Sequence, residues 1–569
     1  ETHTEIAVSP EDDIELRRVT ITNRSRNRRV IEVTSYAEVV LNDPASDQVH
    51  RSFSNLFVQT EIIRSHQAIL CRRRPRSDKE KFPLMLHLMA VHGNAVVGAS
   101  YETDRSKFLG RGRTVVNPAA MESHGDLSDS EGSVLDPVVS IRSRIELAPD
   151  ESAVIDYVTG ICESRESAQA LMEKYRDRNL ADRVFNLAWT HGQVALQQIN
   201  ATEAAAQLYG RLASAILYAN PAWRASGSIL RRNNRGQPDL WGYSISGDFP
   251  IVLVRIENQD NLDLVVQMMQ AHAYWRMKGL VVDLIIWNED SSIYRDSLGE
   301  RISGLIAATA EERVGQKGSI FLRRADQMSD EDRILIQTVA RIVISDRGGT
   351  LAEQLEDMTQ PQGNFLPFSP SRRDDTEEED TGPAERSDLA YFNGVGGFTG
   401  DGREYVIMTS RSRTTPAPWV NVLANRHFGT VISESGSAYT WSENAHEFRL
   451  TPWKNDAVSD ASGEALYIRD EETGRFWSPT PLPAAGKTRY TTRHGFGYSV
   501  FEHTENGIVS ELTVFVSLEN RVKFSILKIR NVSGRWRRLS ATAYCELVMG
   551  TFRDKYHTHI VTEIDPKSG

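Results

Sequence analysis

Residues 8–40 and 516–548 align without a gap, and this internal duplication constrains the fold more than any other feature of the chain. VSPEDDIELRRVTITNRSRNRRVIEVTSYAEVV lies over VSLENRVKFSILKIRNVSGRWRRLSATAYCELV. Val8, Ser9, Glu11, Ile21, Asn23, Ser25, Arg29, Thr34, Tyr36, Glu38 and Val40 match Val516, Ser517, Glu519, Ile529, Asn531, Ser533, Arg537, Thr542, Tyr544, Glu546 and Val548. Both copies alternate apolar and polar residues at period two, which argues half-buried strands. Solenoid periods are far shorter than this spacing, so the pattern is a two-copy duplication. One copy opens the chain and the other closes it. The expectation is a chain that enters partway through one β-sandwich and leaves partway through another, as an internal portion of a longer protein. Each half-sandwich should then show an open strand edge, and the two halves are candidates to pair with each other.

In chain order, residues 1–163 read as the C-terminal part of the first sandwich. IELRRVTITN, RRVIEVTSYAEVVL, AILCRRR, LMLHLMAV, VVSIRSRIEL and SAVIDYVTGI alternate between polar turns, the signature of antiparallel sheets. CRRRPR (71–76) reads as a solvated strand end. Residues 164–225 switch to helical spacing, with Ala168, Leu171, Met172 and Tyr175 on one face. A second helix is expected near 181–198, and a third capped by Asn200 with Glu203 three positions on. Residues 226–354 then read β–α–β–α–β–α from IVLVRI, with helices near 260–278, 292–311 and 330–343. Near-continuous Val/Ile/Leu strands alternating with helices predict a small parallel sheet. Residues 355–388 carry Pro, Ser and a charge run, a flexible linker. From Leu389 the β pattern returns, and 389–569 reads as the N-terminal part of the second sandwich. GVGGF (394–398) lacks both the GxGxxG spacing and a following helix, which excludes a dinucleotide loop.

Candidate functional residues concentrate in Tyr391–Asp460, where aromatic rings, amides and carboxylates recur between short β runs. Trp and Tyr stack on the apolar faces of sugar rings, and Asn, Asp, Arg and His satisfy hydroxyls in a site of a few convergent polar groups. A second, smaller group is Arg111 with Arg113 in KFLGRGRTVVNPAAM, where Gly110 and Gly112 bracket the first arginine. Held that way, two guanidinium groups suit sugar hydroxyls or a phosphate. Asp239 and Asp248 flank Trp241 and are candidates for acid/base work.

Composition narrows the partners. A net charge of −11 and a pI near 5.8 argue against nucleic acid or anionic lipid. No run of 18 apolar residues spans a membrane. Cys71, Cys162 and Cys545 are far apart and odd in number, which supports neither a disulfide framework nor a metal site and fits a reducing compartment.

Several long blocks in order resemble the cyclic β-1,2-glucan synthase family, whose later part is related to cellobiose-phosphorylase-type enzymes (glycosyltransferase family 36, now glycoside hydrolase family 94). The blocks are ETDRSKFLGRGRTVVNPAA, LWGYSISGDFPIVLVRI, AHAYWRMKGLVVDLIIWNED, FLRRADQMSDEDR, NGVGGFTGDGREYVI, TPAPWVNVLANRHFG, RLTPWKNDAVSD, YIRDEETGRFWSPTPLP and HGFGY. The chain departs from the family pattern at SENAHEF (442–448), where an NSREN-like run is expected: Asn444 fits its start, and His446 and Phe448 do not.

The resemblance implies a mixed, mainly β fold: two partial antiparallel sandwiches of the galactose-mutarotase-like supersandwich type, separated by linker helices and a small α/β region. It implies a parent enzyme at the cytoplasmic face of the bacterial inner membrane that builds cyclic glucan from UDP-glucose. Its phosphorylase-like (α/α)6 barrel would use inorganic phosphate, and both barrel and membrane helices would lie outside these residues. No catalytic residue carries over, and no cofactor or metal is expected within the chain itself. The partners implied are β-1,2-glucan or gluco-oligosaccharide and other domains of the same polypeptide. The expected glycan contacts are Trp441, Asn444, Arg449, Trp453, Asn455 and Asp456, with Arg111 and Arg113 as the second group. Three roles follow: a module that binds or guides glucan beside the barrel, an architectural spacer between transferase and phosphorylase modules, or a hydrolase or transglycosylase in its own right using carboxylates such as Asp239 and Asp248.

Overall fold

A computed structural model describes the chain except residues 78, 94–95, 123–124, 291–296, 310–317, 360–368, 370–385 and 568–569. Most of the expected linker therefore lies outside the described residues. The fold is mainly β, built from antiparallel sandwiches with a smaller helical and α/β part.

The first sandwich has one sheet of six strands in the order Thr2–Val8, Ile14–Thr22, Ser152–Cys162, Leu84–His92, Ala68–Arg73 and Val58–Ile63. Its facing sheet is organised on Pro137–Leu147, which pairs with Arg29–Thr34, Ala37–Glu38 and Val96–Asp104. Ile69, Met89, Ile141, Ile145 and Ile155 fill the space between. The alternation read from the sequence thus points one set of side chains inward. The outer face of the six-stranded sheet is covered by Arg165–Arg176 and the start of Arg178–Gln198, through Ala168, Met172, Tyr175 and Val184. Ser164 caps the first of these helices with a reciprocal bond to Ser167.

One basic cluster reads differently in three dimensions. Arg73 of CRRRPR is buried, not solvated: its Nη1 donates to the Ser54 carbonyl at 2.9 Å, and its guanidinium lies over Phe57 and Phe82. Period two turns Arg73 to the same side as Cys71, into the core.

The second sandwich has a six-stranded antiparallel sheet, Gly396–Phe398, Glu404–Thr409, Tyr490–Gly495, Tyr498–Glu505, Ile508–Val516 and Lys523–Asn531. Leu423, Phe428 and Ile432 from Val420–Ala424 and Phe428–Ser433 pack against Phe501, Leu512 and Val514 of that sheet. A third group pairs Glu464–Asp470 with Phe476–Trp477 and Leu539–Cys545.

The duplication is structural down to its register. Val8 faces Glu15 in the first hairpin, and Val516 faces Lys523 in the second. The turns are built alike: Ser9 N–H donates to the Ile14 carbonyl at 3.0 Å and Ser517 N–H to that of Val522 at 2.9 Å. Asn23 Nδ2 donates to the Asn27 carbonyl, and Asn531 Nδ2 to that of Arg535. Ser25 and Ser533 each donate their hydroxyl to the preceding Asn side chain. The matched polar residues are therefore the ones that satisfy the turn backbone. The copies differ at the far edge. Ile14–Thr22 is paired on both sides, by Thr2–Val8 and Ser152–Cys162. Among the described residues Lys523–Asn531 ends its sheet, with Phe524, Ile526 and Ile529 exposed.

The two halves form one compact unit, Glu1–Ala188 with Pro367–Arg553. Among the described residues no strand of one half pairs with a strand of the other. They join through loops instead: Tyr36, Phe108, Leu109, Ala120 and Leu127 pack against Val458, and Gly112 N–H donates to the Val458 carbonyl at 2.7 Å.

The described residues of Trp189–Leu366 and Asp554–Gly569 form a second unit. Its parallel sheet runs Ile320–Arg324, Asp283–Asn288, Ile251–Ile256, Ala340–Ser345. The fourth strand replaces the end of the helix expected over 330–343, which stops at Val339. The expected Asn200 cap also moves. Asn200 takes a left-handed backbone, and Thr202 caps Glu203–Leu217 by accepting from Ala205 N–H. No helix among the described residues is long and apolar enough to cross a membrane.

Candidate functional site

The strand Ala438–Ser442 sets Tyr439 and Trp441 on one face, two positions apart. Trp441 lies flat on its cross-strand neighbour Gly429, where a Cβ would come within 2.4 Å of the indole. Tyr439 packs beside Trp441 with ring centres 5.4 Å apart, and stacks on Trp453 at 5.5 Å with 25° between planes. His50 meets the edge of Trp453 at 5.8 Å. The result is a row of rings, Trp441–Tyr439–Trp453.

The turn between strand and Trp453 holds this row. Asn444 Oδ1 accepts from the N–H groups of His446 and Glu447 at 2.8 and 3.0 Å. That bond shapes the turn, and Asn444 does not line the cavity described below. Arg449 is 4% exposed, with its guanidinium 5.4 Å from the Trp453 ring centre and Nε donating to the Ala445 carbonyl. Burial lowers its pKa, with Tyr439 and Glu447 opposing. Arg449 therefore supports the indole from behind.

In front of Tyr439 and Trp453 is a cavity of about 420 Å³, lined also by Lys454, Asn455, Asp456, Ser433, Ser437 and Val431. Asn455 adopts a left-handed backbone (φ 47°), its carbonyl accepts from the Ser52 hydroxyl at 2.8 Å, and its amide is 3.3 Å from His50 Nδ1. Asp456 is held more firmly. Arg105 donates Nη1 and Nη2 to its two oxygens at 2.7 and 2.8 Å, and Val458 and Ser459 N–H donate to Oδ1. Burial alone would raise this carboxyl, but the Arg105 fork and the Ser459 hydroxyl more than offset it and hold it well below the usual carboxylate range.

The arginines of the second group sit elsewhere. Gly110 (φ 81°) and Gly112 (φ 73°) turn the loop so that Arg111 reaches Glu434 at 2.8 Å and Asp460 at 2.9 Å. Arg113 pairs with Glu122 at 2.5 Å. Both arginines line a separate cavity of about 440 Å³. Asp460 and Ser433 border the first cavity, and Glu434 and Ser435 the second. The Arg111–Asp460 pair thus stands in the wall between them. Burial raises the Glu434 carboxyl, with Arg111, Thr415 and the Trp419 N–H pulling the other way.

Of the residues singled out from sequence, Trp453, Asn455 and Asp456 meet at one cavity, with Trp441 beyond Tyr439 and Arg449 behind the ring. Asn444 shapes the turn, and Arg111 and Arg113 belong to the second cavity. Tyr439, Lys454 and His50 were not foreseen. Tyr439 carried a usable signal, since it shares a strand face with Trp441 at a spacing of two. His50 and Arg105 carried none, because they arrive from the other half of the chain. Asp239 is taken up by Arg235 at 3.3 Å and the Gly236 N–H, and Asp248 accepts from Gln237 Nε2 at 3.2 Å. Among the described residues no cluster of three or more His, Cys, Asp or Glu has the arrangement to hold a metal ion.

The two antiparallel sandwiches, joined through their loops, define the chain as a β-supersandwich module. Residues 1–178 and 403–569 match the family model described as glycosyl hydrolase 94, supersandwich domain, and the chain belongs to that family. It is 32% identical over 574 residues to the cyclic beta-(1,2)-glucan synthase NdvB of Rhizobium meliloti (strain 1021), covering 99% of this chain and 20% of that protein. It is 37% identical over 154 residues to an N,N'-diacetylchitobiose phosphorylase of Vibrio furnissii, covering 26% of this chain and 19% of the relative. A solabiose phosphorylase of Paenibacillus borealis is 29% identical over 160 residues, 27% of this chain and 20% of the relative. The chain spans about a fifth of the length of these curated relatives.

Proposed function

We propose that this chain is the carbohydrate-handling part of a cyclic β-1,2-glucan synthase, and that it binds or guides a glucan chain at the Tyr439–Trp453 cavity. The observation that carries the reading is the stacked ring pair itself. Both rings line a cavity that is also lined by Lys454, Asn455, Ser433 and Ser437. Aromatic faces with a few placed polar groups suit a sugar ring better than a flat anion or an apolar ligand. The likeness to a glucan synthase along 99% of the chain supplies the linkage, β-1,2. In the longer protein the glucan would come from UDP-glucose, and membrane attachment and any phosphate chemistry would reside outside these residues.

Tyr439→Ala tests the reading. Binding of linear β-1,2-gluco-oligosaccharides should be lost while far-UV and near-UV circular dichroism stay unchanged. Unchanged binding in a folded Tyr439→Ala protein would place the glucan away from this cavity, and absence of binding in the native chain would leave the sandwiches an architectural spacer.

A further inference from the structure

The second cavity is built as a binding site in its own right. Arg111 is pinned in its wall by one nitrogen only: Nη2 serves both Glu434 and Asp460, while Nε and Nη1 are buried without a hydrogen-bond partner among the described residues. Three of its five N–H donors are therefore uncommitted. Thr409 lines the same cavity, and its buried Oγ1 also has no hydrogen-bond partner among the described residues. Such groups are costly to bury unless something accepts their bonds. Pro481, Leu482 and Pro483 give the same cavity an apolar surface, with Leu482 beside Gly112.

The charges decide what kind of ligand fits. Arg111, Arg113 and Arg411 bring three positive charges, and Glu122, Glu434 and Asp460, the first two beside the arginines in the lining and the third on Arg111, bring three negative ones. A near-neutral cavity gives a phosphate little to bind to. A sugar, with hydroxyls that donate and accept, an apolar C–H face and no charge, matches the mixed arginine, carboxylate and hydroxyl lining and its proline–leucine surface together. We infer that the Arg111 cavity is a separate binding site for a short neutral sugar, a mono- or disaccharide, distinct from the aromatic cavity across the Arg111–Asp460 wall. This rests on the reading of the chain as a glycan-handling module.

The test is calorimetric titration of the whole chain with the β-1,2-linked disaccharide of glucose, in native, Trp453→Ala and Ala485→Trp forms. Ala485 is exposed at the cavity and a tryptophan there fills it. Disaccharide binding should survive Trp453→Ala and weaken at least about tenfold in Ala485→Trp. Arg411→Ala, also at an exposed position, should weaken it about tenfold and serves if the tryptophan variant does not fold. Disaccharide binding abolished by Trp453→Ala and untouched by Ala485→Trp would overturn the second site while keeping the aromatic one. Absence of sugar binding in every form would overturn both. Inorganic phosphate that binds where the sugar does not, and is displaced by Ala485→Trp, would overturn the assignment to a neutral sugar.

Discussion

Arg105 and Asp456, 351 positions apart in sequence, are joined by a two-pronged ion pair at 2.7 and 2.8 Å. Arg105 also donates to Glu38 at 2.8 Å and Asp136 at 2.9 Å, so one buried cation holds three carboxylates from both halves of the unit. The loop that carries Trp453 and Asn455 is anchored by this clamp, which places the candidate glycan cavity under the control of the first sandwich.

Removing that cation leaves Asp136 and Asp456 without the cation that holds them, while Glu38 keeps Arg51. Arg105→Met should destabilise the unit by about 3–5 kcal/mol, the usual cost of stranding buried charge. Asp456→Asn should cost less, because Arg105 keeps Glu38 and Asp136. Urea unfolding followed by tryptophan fluorescence measures both, and equal midpoints for Arg105→Met and the native chain would contradict the clamp.

Trp453→Ala removes the Tyr439 stack and the Arg449 contact from a half-buried position. The expected loss is about 1–3 kcal/mol, below that of a fully buried tryptophan, together with loss of β-1,2-glucan binding. Thermal unfolding and glycan titration separate the two effects. Full unfolding of the variant at 25 °C would mean the ring is core and not a surface for ligand.

Acid should weaken the unit in two stages. Burial pushes His87 down to about 4, and the neutral ring bonds Ser35 at 2.8 Å and Thr159 at 2.9 Å. The unfolded chain takes up this proton below about 6.5. Stability from His87 is thus fully present above about 6.5 and declines toward pH 4, by on the order of 3 kcal/mol. Asp456 is depressed below its unfolded value, so its contribution is present above about 4 and is lost as the pH falls further. His87→Gln should flatten the profile between pH 6.5 and 4 and leave the lower limb in place, as read by unfolding midpoints across that range. A native profile flat over that interval would contradict the assignment.

The strand Lys523–Asn531 should drive self-association of this chain, since among the described residues no strand pairs with its outer edge and Phe524, Ile526 and Ile529 are exposed. Ile526→Lys should lower the associated fraction seen by sedimentation velocity with little change in fold. Equal association in both proteins would place the sticky surface elsewhere.

Much of the fold was legible because period-two alternation and turn residues act locally. The hairpins of the duplication, the parallel sheet from Ile251 onward and the Ser164 helix all follow from short-range rules. Ala340–Ser345 was missed because RIVI directly follows a helix, where an apolar run fits either state until a sheet neighbour decides it. Arg73 was misread because a charged residue at an inward register position is stabilised by Ser54 and Phe57, distant in the fold from anything its sequence neighbours reveal. The candidate site was half legible. Trp453 and Asn455 announce themselves by type, whereas the engagement of Asp456 by Arg105 depends on a contact that no local pattern encodes.

The central claim is that the Tyr439–Trp453 cavity handles β-1,2-glucan. Calorimetric titration of the chain with linear β-1,2-gluco-oligosaccharides, set against β-1,4 oligomers of equal length, tests it most directly. The account predicts saturable binding selective for the β-1,2 linkage and lost in Trp453→Ala. Absence of binding up to millimolar oligosaccharide, or equal binding of both linkages unaffected by Trp453→Ala, would contradict it.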